Sequence, residues 1–150
     1  MKILICGLPG SGKSTLAELL SKSLLTSVWL NADEVRGHYD DWDFTSEGRM
    51  RQSRRMTYLS DGIVRAGSIA MADFVAPTQL TRDQYNADYV IWMDTIAEGR
   101  FEDTNAMFEK VRHADYVVTE LDAVNQIPGI IEDMKVHFYF ADLSSVFGNE

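Results

Sequence analysis

The chain reads as an α/β protein: a parallel five-stranded sheet with helices on both faces, and a sixth short strand left open at residues 136–140. Three observations carry this. Short apolar runs of strand length alternate with segments of helical periodicity along the whole chain, a pattern that joins parallel strands through right-handed crossovers. The runs are apolar throughout rather than alternating, as strands buried on both faces are. The first run ends in a glycine-rich turn that opens a helix.

Taken in order, KILIC at Lys2–Cys6 is the first strand, stopped by Gly7. Residues 13–25 place Leu16, Leu19, Leu20 and Leu24 on one helical face. Residues 28–30 form a second strand, 32–37 at least one helical turn, and 38–45 an acidic, aromatic loop. The longest helical pattern runs from Ser46, a suitable N-cap, to about residue 66. A third strand spans 69–75 before Pro77, and Thr81 begins a further helical turn. Tyr89–Met93 (YVIWM) is the fourth strand, residues 104–111 are helical, and Tyr116–Val118 is the fifth strand. Residues 127–134 are helical, with Pro128 and Gly129 blurring the start. The segment 136–140 (VHFYF) is either a strand or an apolar tail folded back on the body. The aromatic residues Phe138, Phe140 and Phe147 are expected in the core, with a homodimer interface as the alternative.

At 150 residues, 45% hydrophobic and 25% charged, the chain suits one domain, 1–150, with a real core. No apolar run approaches the roughly 20 residues of a membrane span. The run at residues 3–6 is too short for a signal-peptide core. One cysteine, Cys6, fits a reducing compartment and a buried position. These features set the expectation of a cytoplasmic protein. Three histidines and one cysteine without ligand spacing argue against structural zinc. A net charge of −9 argues against wrapping a nucleic acid. Yet Arg49, Arg51, Arg54 and Arg55 cluster. They suit either a small anionic ligand or a solvated helix face paired with acids.

Residues 7–15 read GLPGSGKST and satisfy G-x-x-x-x-G-K-[ST]. A chance match in a chain of this length is on the order of one in two hundred, so the motif carries the nucleotide reading. Its glycines let the backbone turn tightly and bring N–H groups to a phosphate, and the following helix aims its positive end at the same anion. Gly7, Leu8, Pro9, Gly10, Ser11, Gly12, Lys13, Ser14 and Thr15 are therefore the ATP-binding residues. Lys13 supplies charge to the β- and γ-phosphates, and the Ser14 hydroxyl is the Mg²⁺ ligand. The implied architecture is the P-loop NTPase fold. No N-K-x-D guanine motif is present, and a short chain with this loop points to a small-molecule kinase. In such sheets ligands bind beyond the carboxyl ends of the strands. A carboxylate just after the second strand, Asp33, is well placed for an acceptor hydroxyl, or serves simply as an acid in a first helical turn. Asp73, read as lying within the third strand, and Asp94, at the end of the fourth, are further acids with a metal link in view. Asp94 is first of all a cap for the following turn.

Beyond the loop, LNADEVR at 30–36 resembles the D-G-D-N-x-R run of adenylylsulfate kinases. DFTSEGRMRQSRR at 43–55 is similar to their G-F-S-x-x-D-R-x-E-N-I-R-R. FVAPTQ at 74–79 is similar to F-I-S-P-Y-R, and MDTI at 93–96 to V-D-T-P. The likeness spans roughly residues 1–120. It implies transfer of the ATP γ-phosphoryl to the 3′-hydroxyl of adenylyl sulfate, with ATP and Mg²⁺ as cofactors and a small nucleotide as the partner. It also implies residue roles. Asp33 would lie beside the acceptor hydroxyl and Arg36 on the sulfate nucleotide. Phe44 would pack on the substrate adenine, and Arg49 and Gln52 would hold the phosphosulfate end. Pro77 belongs to the F-I-S-P-Y-R counterpart, and Arg100 would sit near the adenine of ATP. The chain departs from the family pattern in several places. Asn31 stands for the first aspartate, Asp43 for glycine, and Gly48 for the aspartate of the second segment. Between residues 101 and 114 most of the family's long lid is missing. A kinase of another hydroxyl and a non-catalytic nucleotide-binding module are the alternatives.

Overall fold

The computed structural model describes residues 1–138. Five strands, β1 (Lys2–Cys6), β2 (Ser27–Asn31), β3 (Ile69–Asp73), β4 (Tyr89–Met93) and β5 (Tyr116–Val118), form one sheet in the order β2-β3-β1-β4-β5. Every adjacent pair is parallel. Side chains alternate across the sheet, as the two-residue period of a strand requires. Ile3 and Ile5 of β1 join a core with Leu16 and Leu20 of α1 (Lys13–Ser23) and Ile130 and Met134 of α6 (Ala123–His137). Leu4 and Cys6 point the other way, into a core with Val35 of α2 (Ala32–Tyr39), Met56 of α3 (Ser46–Arg65) and Tyr85 of α4 (Gln79–Tyr85). The short α5 (Glu102–Met107) follows β4.

The element boundaries differ from the sequence reading where long-range contacts decide them. α1 stops at Ser23, because Leu24 turns extended after its N–H bonds Leu20 O. The N-cap of α3 is Thr45 rather than Ser46: its side chain accepts from Gly48 N–H at 3.2 Å, while Asp43 Oδ1 accepts from Thr45 N–H at 2.9 Å. α4 starts at Gln79, two residues early, because Thr78 and Thr81 form a reciprocal cap. α5 ends at Met107 instead of continuing to 111, and Glu109 N–H bonds Pro77 O at 2.7 Å. α6 begins at Ala123 and carries Pro128 inside it. Val136 and His137 belong to its last turn, so the sixth-strand option fails there. Phe138 packs on the first core, and residues 139–140 and Phe147 lie outside the described residues. β3 ends at Asp73, the register partner of Asn31 at the end of β2, so Asp73 is a strand-end residue and not an interior one.

No helix among the described residues is long and apolar enough to cross a membrane. Cys6 is fully buried, and burial pushes its thiol up to about 11.

Candidate active site

The carboxyl ends of β1, β2 and β3 meet at the start of α1, and there a cavity of about 680 Å³ opens. Its floor is the phosphate loop. Gly10 (φ 84°) and Gly12 (φ 96°) adopt left-handed backbone, and Gly12 caps α1. A Cβ on Gly7 would lie 2.8 Å from Met93 O and from Ser11 Oγ, so only glycine lets β1 turn this close to β4. Thr95 Oγ1 donates to Ser11 O at 2.7 Å and ties the loop to the segment after β4. Lys13 Nζ donates to Leu8 O at 3.0 Å, across the loop. Burial holds the Lys13 ammonium below the usual lysine range, opposed by the charge of Asp73 and, further down, of Asp33. An ammonium held in a poorly solvated cradle attracts an anion more strongly than one in water.

At the mouth of the loop a polar network joins two strands and two helices. Asn31 Nδ2 donates to Ser14 Oγ at 3.0 Å and to Asp73 Oδ2 at 3.0 Å. Trp29 Nε1 donates to the same carboxylate oxygen at 3.0 Å. Asn31 Oδ1 accepts from Glu34 N–H at 3.0 Å and so caps α2. Burial raises the Asp73 carboxyl above the usual range, opposed by the Trp29 and Asn31 hydrogen bonds and by Lys13. The donor set suits Mg²⁺ carried on a nucleotide. That ion is held by one or two protein oxygen groups and completes its shell with phosphate and water. Ser14 Oγ and the Asp73 carboxylate are such groups. Among the described residues no cluster of three or more His, Cys, Asp or Glu forms a resident metal site.

The acceptor side is built by the segment 40–45 and the first turns of α3. Asp33, exposed in the first turn of α2, lines the cavity, as do Phe44 and Arg49. Two guanidinium groups lie over the Phe44 ring, Arg36 at 4.4 Å and Arg49 at 5.5 Å from its centroid. Arg49 also donates to Phe44 O at 3.0 Å and to Thr104 Oγ1 at 2.7 Å, fastening α3 to α5. Burial lowers its pKa against the opposing charge of Asp103. Arg100 lines the cavity beside Phe101.

Three of the expected substrate residues take other positions. Arg36, 4% exposed, donates to Asp41 O at 3.0 Å and Asp43 O at 3.1 Å, and it does not line the cavity. Gln52 is buried. It donates to Ala32 O at 3.0 Å and accepts from Arg55 at 2.7 Å. Pro77 offers its carbonyl to Arg82 and Glu109, away from the cavity. Of the arginine cluster, Arg51 grips Asp41 with two bonds of 2.7 and 2.9 Å, and Arg55 reaches the same carboxylate at 2.8 Å. Only Arg49 of the four lines the cavity. Asp94 lies outside it, with its N–H on Val118 O. The residue underweighted by sequence reasoning is Asp73, because a third strand drawn to residue 75 buried it in mid-strand.

A parallel sheet in this order, with a glycine-rich loop between its central strand and the first helix, is the P-loop kinase fold. The sequence profile of a family described as adenylylsulphate kinase matches residues 1–123, and the chain belongs to that family. An adenylyl-sulfate kinase of Shewanella baltica is 36% identical over 90 residues, 57% of this chain and 44% of its own. One of an Enterobacter species is 29% identical, over 87% of this chain and 70% of its own. The chain thus spans less than half the length of several curated relatives it matches. In fold it is similar to the Mycobacterium tuberculosis APS kinase solved with AMPPNP and APS. There the TM-score is 0.74 at 19% identity, covering 89% of this chain and 96% of that one. A sugar kinase of Janibacter superposes with TM-score 0.72 at 18% identity, covering 90% and 94%.

Proposed function

We propose that the protein transfers the γ-phosphoryl group of Mg²⁺-bound ATP to the 3′-hydroxyl of adenylyl sulfate. The observation that carries this is a single cavity in which the phosphate loop faces Asp33, Phe44 and Arg49, in a member of the adenylylsulphate kinase family. Phosphoryl transfer needs charge neutralisation and a positioned acceptor more than covalent help from the protein. Lys13 and the loop N–H groups neutralise the β- and γ-phosphates, and Arg100 lies on the adenine side of ATP. Asp33 orients the acceptor hydroxyl and takes its proton as the new P–O bond forms and ADP leaves. Phe44, steadied by its two arginines, offers an aromatic face to the acceptor base, and Arg49 meets the acceptor's anionic end. Arg36 and Gln52 serve the acceptor indirectly, by holding the loop and helix that present Phe44 and Asp33. Mg²⁺ supplies charge for the transferring phosphate, with Ser14 as a ligand. The same reading takes the protein as cytoplasmic, with a homodimer as a form to be checked by sedimentation.

A kinase of a different hydroxyl is the second reading. It is favoured by Arg36 and Gln52, whose polar atoms are committed to backbone carbonyls and to Arg55. ADP release from Mg-ATP separates the two, measured with adenylyl sulfate and with a panel of nucleoside, nucleotide and sugar acceptors. Turnover that depends on adenylyl sulfate supports the first reading. Turnover only with another acceptor removes it.

A further inference from the structure

The segment after β4 lies against the phosphate loop, and one side chain of α5 fixes its far end. Thr95 Oγ1 donates to Ser11 O at 2.7 Å. A Cβ on Gly99 would lie 3.2 Å from Pro9 O and 3.6 Å from Leu8 Cβ, so Gly99 rests directly on the loop. Asn105 meets both polar groups of Gly99. Its Oδ1 accepts from Gly99 N–H at 2.8 Å, and its Nδ2 donates to Gly99 O at 2.9 Å. The flipped amide would set N–H against N–H and oxygen against oxygen, so the side chain stands one way round. The two bonds close residues 99–105 on themselves. Next to the closure stand Arg100 and Phe101, both lining the cavity, with the Arg100 guanidinium 5.3 Å from the centre of the Phe101 ring. α5 has six residues and no side-chain cap at its start, too short to hold itself. It is fixed from outside. Arg49 of α3 donates to Thr104 Oγ1 at 2.7 Å, and Glu109 bonds Pro77 O through its N–H at 2.7 Å and accepts from Gln79 N–H at 2.9 Å. Asn105 passes that fixity on to Gly99. An exposed arginine gives up rotamer freedom when it meets a ligand, and a backbone already in place reduces what must be ordered.

We propose that Asn105 is a positioning residue for the donor nucleotide: by pinning Gly99 to α5 it holds Arg100 at the cavity wall, where Arg100 meets the adenine of ATP. A pinned wall then serves the base in a chain that lacks most of the family's long lid. The proposal deepens the donor half of the function proposed above, on which it rests. It is independent of the acceptor, so a failed acceptor assay leaves it standing.

The test is binding to the full chain without an acceptor, by calorimetry in Mg²⁺, of AMPPNP and of inorganic tripolyphosphate, which offers the phosphates without a base. Asn105→Ala is expected to weaken AMPPNP about fivefold or more, the scale of one base-stacking contact, and to leave tripolyphosphate within about twofold. Arg100→Ala is expected to do the same. In the Arg100→Ala background, Asn105→Ala is expected to add less than about twofold, because its effect runs through Arg100. Equal losses for both ligands in Asn105→Ala overturn the proposal, since the residue would then merely support the phosphate loop. A full further loss in the double variant overturns it as well. Arg100→Ala weakened with Asn105→Ala unchanged overturns this proposal alone, whereas an Arg100→Ala protein that binds AMPPNP as wild type does also removes the placement of Arg100 at the base. Asn105→Asp keeps the shape of the side chain but sets an oxygen against Gly99 O, and it is expected to show the same base-selective loss. Wild-type AMPPNP affinity in Asn105→Asp overturns the proposal even if Asn105→Ala does not fold.

Discussion

Replacing Arg36 with methionine separates a ligand from a scaffold. The family likeness sets this arginine on the substrate, whereas the structure buries it against the backbone of residues 41 and 43. Methionine keeps most of the apolar stem and removes the guanidinium. Two hydrogen bonds from a charged donor are lost, each worth about 1.5–3 kcal/mol. Asp41 and Asp43 are half-buried, so their carbonyls regain some water and the lower figure applies. Stacking on the half-exposed Phe44 ring adds about 0.5–1 kcal/mol. The sum is about 3–4 kcal/mol, a large share of a total stability of about 5–15 kcal/mol. For a chain of this size that lowers Tm by about 6–15 °C. Thermal unfolding followed by circular dichroism measures it, alongside acceptor KM at a temperature where both proteins are folded. A Tm within about 2 °C of wild type, combined with a KM raised more than tenfold, would refute the scaffold assignment, since the loss would then exceed any indirect effect on packing.

Lys13→Ala is expected to lower ATP-dependent transfer at least about a hundredfold, the scale of losing a preorganised electrostatic contact; near-normal turnover would remove the loop from the mechanism. Asp33→Asn should lower kcat with ATP affinity largely kept, and calorimetry plus steady-state rates show whether it does. The Asp41 carboxyl is held well below the usual range, first by Arg51 and then by Arg55. Its folded pKa lies below the unfolded value of about 3.9, so its contribution is full above about pH 4 and is lost as pH falls through the folded value. The Tm gap between wild type and Asp41→Asn should therefore be constant from pH 7 to 5 and narrow below pH 4; a gap unchanged at pH 2.5 contradicts this. A Cβ on Gly48 would overlap the Asp43 carbonyl and carboxyl. Gly48→Ala should thus cost about 1–3 kcal/mol by overpacking, read as a lower denaturant midpoint, and Asp43→Gly in the same chain should return part of it.

The donor half was legible because its information is local. Nine consecutive residues specify the turn, the anion cradle and the start of α1, and no distant contact is needed to place them. Strand alternation was legible for a similar reason, since periodicity is written within each segment. What failed was whatever depends on where a neighbouring element stops. Asp73 reads as interior until β2 is seen to end at its register partner Asn31. Arg36 reads as a ligand until the loop at 40–44 is seen to fold its carbonyls over it. Arg51 and Arg55 find Asp41 ten and fourteen residues away, a pairing that spacing along α3 alone cannot distinguish from a free basic face.

The two sharpest departures from the family pattern share one physical form. Asn31 lacks a carboxylate, and Asp73 offers one within hydrogen-bond reach of it. Asp43 carries a side chain where the pattern has glycine, and Gly48, where the pattern has aspartate, is the position against which that side chain lies. In each case a group absent at one position is present at its spatial neighbour. A motif compared position by position counts three departures at these residues, Asn31, Asp43 and Gly48. The geometry joins Asp43 and Gly48 into one contact, so a change at either position is felt at the other.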